Sequence, residues 1–294
     1  MTDYTIENEK LSVTINAHGA ELSSIYDKEN DRELIWQAAP AFWNRHAPVL
    51  FPNVGKYYGG HFTYNGKAYP MGQHGFARDT EFEKIAAGKD FVTYRLCADE
   101  ESKKKYPFDF VLEITHRLQG NRLSVEWNVK NTDDKEMYFT IGGHPAFNVN
   151  ILPDTDFEDY SLVFKEGMET LSYILIDAES GTALTDKTYE LELTDSKYTL
   201  KKDMFDKDAL IFDDGQIEWV GLALPNGKPY IALESKDFPN FGIWSKPGAP
   251  YVCLEPWCGR CDDKGFNGEI SQKPGINTLK AGEVFKKSYD IIVY

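Results

Sequence analysis

A chain of 294 residues with 41% hydrophobic and 14% aromatic side chains has enough apolar material for a large core, and no segment is poor enough in both to stay disordered. A formal charge of -15 excludes nucleic acid and anionic membrane as partners, because both are held by Lys and Arg neutralising phosphates. No stretch reaches the roughly 20 apolar residues of a bilayer span, the start Met1-Thr2-Asp3-Tyr4 lacks a basic or apolar signal core, and four cysteines are too few for a disulfide scaffold; a cytoplasmic protein with free thiols is expected.

Period-two alternation opens the chain: Leu11, Val13 and Ile15 stand against Ser12, Thr14 and Asn16, which predicts a half-buried strand. Turn residues follow in Asp27-Lys28-Glu29-Asn30-Asp31 and Tyr64-Asn65-Gly66-Lys67. Between Pro40 and Glu81 the alternation breaks down into segments dense in glycine, proline, histidine and basic residues. Irregular segments laid over a rigid sheet are where binding groups usually sit. His74 precedes Gly75 there, so it is either a donor at a loop tip or a turn histidine bonded to its neighbours. Arg45 and Arg78 are candidate fork donors to sugar hydroxyls or to a phosphate, and equally candidate partners for some of the 47 carboxylates.

Ala98–Tyr106 carries a short helix signal. Two longer alternations come next, Phe110-Leu112-Ile114 and Leu123-Val125-Trp127-Val129, with Gln119-Gly120-Asn121 between them and Asn131-Thr132-Asp133-Asp134 after them; both connections read as hairpin turns. His116 continues the first alternation and is read as a satisfied, half-buried strand residue, while His18 and His61 sit at turns and receive no role. The string Gly142-Gly143-His144-Pro145-Ala146-Phe147 then places an imidazole after two residues without side chains, which leaves room for a ligand to approach the backbone.

Further strands are predicted around Tyr189-Leu191-Leu193, Ile231-Leu233, Phe241-Ile243 and Ser288–Val293, with a short helix at Lys201–Asp206. In Tyr251-Val252-Cys253-Leu254-Glu255-Pro256-Trp257, Glu255 shares a strand face with Tyr251 and Cys253. A carboxylate on an apolar face lines a cavity or costs stability, so Glu255 and His144 are the candidate pair for moving two protons; an edge-strand carboxylate and a core histidine remain the alternative. Cys258-Gly-Arg-Cys261 looks like a redox or metal pair but lacks the further Cys or His ligands of a zinc centre, and is read as a turn beside the site. No phosphate loop, dinucleotide fingerprint, nucleophile elbow or zinc-protease string occurs. Chemistry without metal or cofactor is expected. With no linker, repeat or low-complexity tract, residues 1–294 read as a single all-β domain of two packed antiparallel sheets.

Taken together, Gly19-Ala20-Glu21-Leu22-Ser23-Ser24-Ile25, Phe51-Pro52-Asn53-Val54-Gly55-Lys56, Gln73-His74-Gly75-Phe76-Ala77-Arg78, Gly143-His144-Pro145-Ala146-Phe147 and Leu254-Glu255-Pro256-Trp257 resemble the aldose 1-epimerase (galactose mutarotase) family over nearly the whole chain. The resemblance implies a large twisted β-sandwich, a small-molecule sugar substrate, and anomer exchange by ring opening, in which a glutamate base matches Glu255, a histidine acid matches His144, and a second, sugar-binding histidine matches His74. Burial is then expected to raise the Glu255 pKa, and a neighbouring carboxylate to keep His144 protonated. Two departures stand out: Lys56 falls where many members carry arginine, and the substrate-binding aspartate has only Asp208 as a match, itself readable as a turn carboxylate. Phe147 and Trp257 are candidate walls for a sugar face. The Gln73–Arg78 string is also similar to the hexose-6-phosphate branch, in which Arg45, Lys56 and Arg78 would hold a phosphate. The expected function is anomer exchange of a free hexose such as galactose or glucose, with a hexose 6-phosphate substrate and a non-catalytic carbohydrate-binding role as the alternatives; a homodimer stays open.

Overall fold

The alternation becomes two large antiparallel sheets in the computed structural model, which describes residues 3–294. Nine strands make the first, in the order Lys197–Thr199, Ser161–Phe164, Trp219–Ala223, Pro229–Glu234, Val284–Val293, Arg122–Asn131, Phe110–Gln119, Phe91–Cys97 and Glu83–Ala87. The second runs Ala183–Glu192, Thr170–Ile176, Leu210–Phe212, Asn240–Trp244, Tyr251–Cys258, Ile141–Gly143 and Val49–Leu50, and Ala146–Asn148 pairs with a further stretch of Tyr251–Cys258. A smaller sheet of Tyr4–Glu7, Leu11–Ile15, Leu22–Asp27 and Arg32–Glu33 lies in the N-terminal part of the chain. Glu100–Lys105 is the only α-helix among the described residues, and its start is capped by the Asp99 carboxylate accepting the Ser102 N–H. The fold is the all-β sandwich expected.

Pleating explains where the core lies. Leu112, Ile114 and Leu118 sit opposite Val129, Trp127 and Leu123 in the register of their hairpin, and each turns its side chain to the buried face. They share one apolar cluster with Val252 and Leu254 of the second sheet. Each such side chain contributes on the order of 1.5–3 kcal/mol when fully buried. The opposite face of Tyr251–Cys258, carrying Tyr251, Cys253, Glu255 and Trp257, looks away from that cluster, and the irregular segments cover it.

Three local expectations change. Lys201–Asp206 forms successive turns rather than a helix, with Met204, Asp206 and Asp208 N–H each bonding three residues back and nothing propagating at four. Asn131–Asp134 is not a hairpin: the chain leaves the nine-stranded sheet there, and Met137–Phe139 pairs instead with Asn277–Leu279. His116 is buried rather than half-buried, and its Nδ1 has no hydrogen-bond partner. Among the described residues no helix is long and apolar enough to cross a membrane.

Burial pushes His116 down to a pKa of about 3, well below the roughly 6.5 of an unfolded histidine. The folded state therefore favours the neutral ring, and that contribution is complete above the unfolded pKa and is lost as pH falls toward the folded one. Denaturant unfolding of His116→Leu between pH 6 and 4 is expected to show a slope of stability against pH shallower than wild type by about 1.4 kcal/mol per unit, one proton's worth. An unchanged slope would mean that His116 does not contribute to acid lability.

Candidate active site

His144 owes its place to strand register. Gly142 pairs with Trp257 and Ala146 pairs with Cys253, so the same antiparallel register carries across the three residues between them and sets His144 opposite Glu255. Their side chains meet at 3.3 Å, His144 Nε2 to Glu255 Oε1. Both are almost wholly buried, His144 at 7% and Glu255 at 2% exposure. Trp43 stacks on the imidazole with ring centroids 4.8 Å apart, and Trp244 presents an edge to it at 5.8 Å. The histidine and the glutamate singled out in the sequence are thus side by side in space.

Parity along the same segment removes Phe147 from the site. It is in register with Val252, whose side chain enters the core between the sheets, and Phe147 is fully buried in that same cluster. The two glycines before His144 also serve a different purpose from the one expected. A Cβ on Gly142 would lie 2.4 Å from Trp257 Cδ1, one on Gly242 would lie 2.3 Å from Trp257 Cζ2, and one on Gly143 would lie 2.7 Å from the Tyr289 hydroxyl. Protein rings, not a ligand, fill that space, and the glycines let the Trp257 indole lie flat against the strands and form a cavity wall. Gly142→Ala is expected to lower stability by about 1–3 kcal/mol through overpacking and to push the indole into the cavity; thermal melts check it, and a wild-type melting temperature would refute this close packing.

His74 comes from the irregular segment. Its backbone adopts φ 66°, and Gly75 follows at φ 70° with its Cα so close to Phe51 that an added Cβ would sit 2.2 Å from the carbonyl oxygen. The His74 N–H donates to Gly55 O at 2.8 Å, and the Gly55 N–H donates to His74 Nδ1 at 3.0 Å. With Nδ1 accepting, the ring proton is on Nε2. Burial, then the His144 ring, then Arg78, Arg45 and Lys56 hold His74 well below the usual imidazole range, so it is a neutral donor. His74 is thus tied to the backbone of Gly55 and at the same time lines the cavity.

The cavity has a volume of about 390 Å³. His144, Glu255, His74, Arg45, Lys56, Arg78, Asp208 and Trp257 all line it. Arg45 is held by Asp79, Nη2 to Oδ1 at 2.8 Å, and Arg78 reaches the same carboxylate at 3.7 Å while donating to Gln73 O at 2.8 Å. Arg78 Nε has no hydrogen-bond partner, and burial lowers the guanidinium to a pKa of about 10. Asp208 is exposed at the rim in a left-handed turn, φ 75°, with one oxygen accepting the Ala209 N–H at 2.7 Å. The turn reading and the lining position therefore both hold for it. Its negative charge adds to the forces on Glu255.

Trp43, Trp244 and Asp177 also line the cavity; from the sequence Trp43 reads as a core aromatic ranked below Trp257 and Phe147, and Trp244 and Asp177 carry no signal. Trp43 lies in the irregular segment already marked as a binding region, but nothing local separates it from a core tryptophan; its backbone carbonyl accepts the Trp36 indole N–H, and Lys246 Nζ donates to the neighbouring Phe42 carbonyl. Asp177 is satisfied by Ser180 and Lys264. Cys258 and Cys261 are free buried thiols, and Arg260 between them bonds Asp213 and Asp263, so this stretch is the turn expected beside the site.

Electrostatics part from expectation at His144. Burial raises the Glu255 carboxyl well above its ordinary range, opposed by the Trp257 indole and reinforced by Asp208. Burial likewise lowers His144, to about 3, with the residue's own backbone opposing the shift and Arg78 and Arg45 adding to it. Desolvation outweighs the attraction of the neighbouring carboxylate. Both shifts thus favour the uncharged forms in the resting pair, the Glu255 acid and the neutral His144 ring. Passing that one proton from Glu255 to His144 yields a carboxylate base and an imidazolium acid without any change in total charge, so the pair can exchange protons with two oxygens of one bound molecule.

The aldose 1-epimerase family model matches residues 2–291. Protein LacX of Lactococcus lactis subsp. lactis, in its plasmid form, is 32% identical over 296 residues, with 98% of each chain covered. Among solved structures, a galactose mutarotase related enzyme from Lactobacillus acidophilus is similar at a TM-score of 0.94 and 36% identity, over 100% of this chain and 97% of that one. A galactose mutarotase-like protein from Lactobacillus casei is similar at 0.90 and 33%, over 100% of both.

Proposed function

Because the chain belongs to the aldose 1-epimerase family, we propose that it is an isomerase that interconverts the α and β anomers of a free hexose such as glucose or galactose. The observation that carries this reading is the 3.3 Å contact between His144 and Glu255 at the wall of a sugar-sized cavity, with the neutral His74 beside them at 5.6 Å between ring centroids. In the proposed reaction Glu255 takes the proton of the C1 hydroxyl while His144 protonates the ring oxygen. The C1–O5 bond breaks, the aldehyde forms and turns, and reclosure returns both protons. His74 Nε2–H donates to the sugar near the ring oxygen and holds the reacting bond between the pair. Trp257 and Trp43 wall the sugar face, and Asp208 accepts from hydroxyls at the rim.

The choice of a neutral sugar over a hexose 6-phosphate is supported by how the cations are already engaged. Arg45 and Arg78 share Asp79, which offsets part of their charge, and only Lys56 among the three has no ion-pair partner among the described residues. A non-catalytic carbohydrate-binding role would leave the burial of two unneeded titratable groups as a plain cost. The proposed setting is the cytosol. One-dimensional exchange NMR of the anomeric protons of glucose, galactose and glucose 6-phosphate tests all three readings. Acceleration greatest for a free hexose supports the proposal; greatest for the phosphate replaces the substrate; none above the buffer rate leaves a binding protein.

A further inference from the structure

Cys253 is a buried free thiol that the sugar chemistry leaves unused. It lies two residues before Glu255 on the same face of Tyr251–Cys258, and its partner across the sheet is Ala146, two residues after His144. The three side chains therefore converge from two adjacent, hydrogen-bonded segments. A ring nitrogen of His144, the Cys253 sulfur and a Glu255 oxygen all lie within 4.8 Å of one another, the one such group among the described residues. The 3.3 Å from His144 Nε2 to Glu255 Oε1 already matches the roughly 3.3 Å between two ligands of a tetrahedral zinc with bonds of about 2.0–2.1 Å.

We propose that His144, Cys253 and Glu255 form a binding site for a thiophilic divalent cation of the zinc class, and that metal bound there switches off anomer exchange by engaging both groups of the proton-transferring pair. A nitrogen, a sulfur and an oxygen donor suit zinc and its soft neighbours, whereas calcium and magnesium require oxygen ligands in larger number. Three protein ligands leave the fourth position open toward the cavity, which is also the path of entry past His144 and Glu255. Coordination needs the Cys253 thiolate and the Glu255 carboxylate, so each metal bound sends two protons, one from each of these groups, to solvent.

The surroundings point to reversible inhibition rather than to a resident cofactor. His144 Nδ1 has no hydrogen-bond partner, so the ring lacks the outer-shell acceptor that fixes a ligating histidine in dedicated zinc centres. Metal and sugar use the same two side chains and exclude each other. The inhibitory consequence rests on the mutarotase reading, whereas the binding site does not.

The test titrates the metal-free full chain with Co²⁺, whose bond to thiolate gives an intense near-ultraviolet charge-transfer band that nitrogen and oxygen ligands do not produce. The expected result is a band that saturates at one Co²⁺ per chain, is bleached by Zn²⁺, and is lost in Cys253→Ser, with Zn²⁺ affinity in that variant at least about tenfold weaker in competition with a chromophoric chelator. Cys253→Ala, matched to wild type by near-UV circular dichroism, repeats the measurement should the serine variant misfold. A band that is absent, or that persists in both variants, overturns the site. Anomer exchange is followed in parallel: loss of exchange with Zn²⁺ and recovery with EDTA supports the inhibitory half, and undiminished exchange by the Zn²⁺-loaded protein overturns it. A chain that shows the cobalt band but never exchanges anomers would uphold the metal site and refute the proposed activity, so the two failures are distinguishable.

Discussion

Glu255→Gln is expected to abolish anomer exchange while leaving the sugar bound. The amide keeps the size of the carboxyl and its capacity to hydrogen-bond, but it cannot take a proton from the C1 hydroxyl. One positioned acid or base is typically worth about 10²–10⁴-fold, which corresponds to roughly 3–5 kcal/mol of barrier. Stability should not suffer, because burial already favours the uncharged form of Glu255 and glutamine is uncharged throughout. Exchange NMR gives the rate, and titration with a saturating hexose gives the affinity. Exchange within threefold of wild type would remove Glu255 from the mechanism, and a loss of affinity matching the loss of rate would make it a binding group alone.

His144→Ala should lose a comparable factor of about 10²–10⁴ in exchange, with a weaker grip on the sugar as well. The alanine removes both the proton donor to the ring oxygen and the ring on which Trp43 stacks, so the tryptophan wall loses its support. The two variants are also expected to be non-additive. His144 and Glu255 share one proton and act as a unit, so the double variant Glu255→Gln/His144→Ala should be little slower than either single one. If the two losses multiplied, the groups would be acting independently, and the shared-proton account would fail. A His144→Ala protein at wild-type rate would remove His144 from the reaction.

How much of this was legible beforehand varies residue by residue. The alternation from Tyr251 to Trp257 placed Glu255 on the face of Tyr251 and Cys253, and that face is the one turned to the cavity. Phe147 could have been set aside by the same rule. It lies three residues after His144, and three is an odd step along an extended segment, so the two side chains point to opposite faces. Gly142 and Gly143 announced a close approach, yet only the structure shows that the approaching groups are Trp257 and Tyr289. Trp43 carried no periodic signal at all; it reaches His144 because a segment without regular structure folds back over the sheet, held at its neighbour Phe42 by Lys246.

Local patterning along the chain was enough for the all-β class, most hairpin turns, the face on which Glu255 lies, and the residue types from which a proton-transferring site would be built. These are short-range properties: pleating gives a period of two within each strand, and Asn65-Gly66 or Gly120 supply the left-handed conformations that tight turns need. Packing across the whole sheet set the register between segments more than a hundred residues apart, and so put His144 opposite Glu255. It also reversed the expected charge of His144. The ring is neutral because loops far away in sequence close over it and withdraw water, and desolvation is a property of everything that surrounds a group, not of its neighbours in the chain.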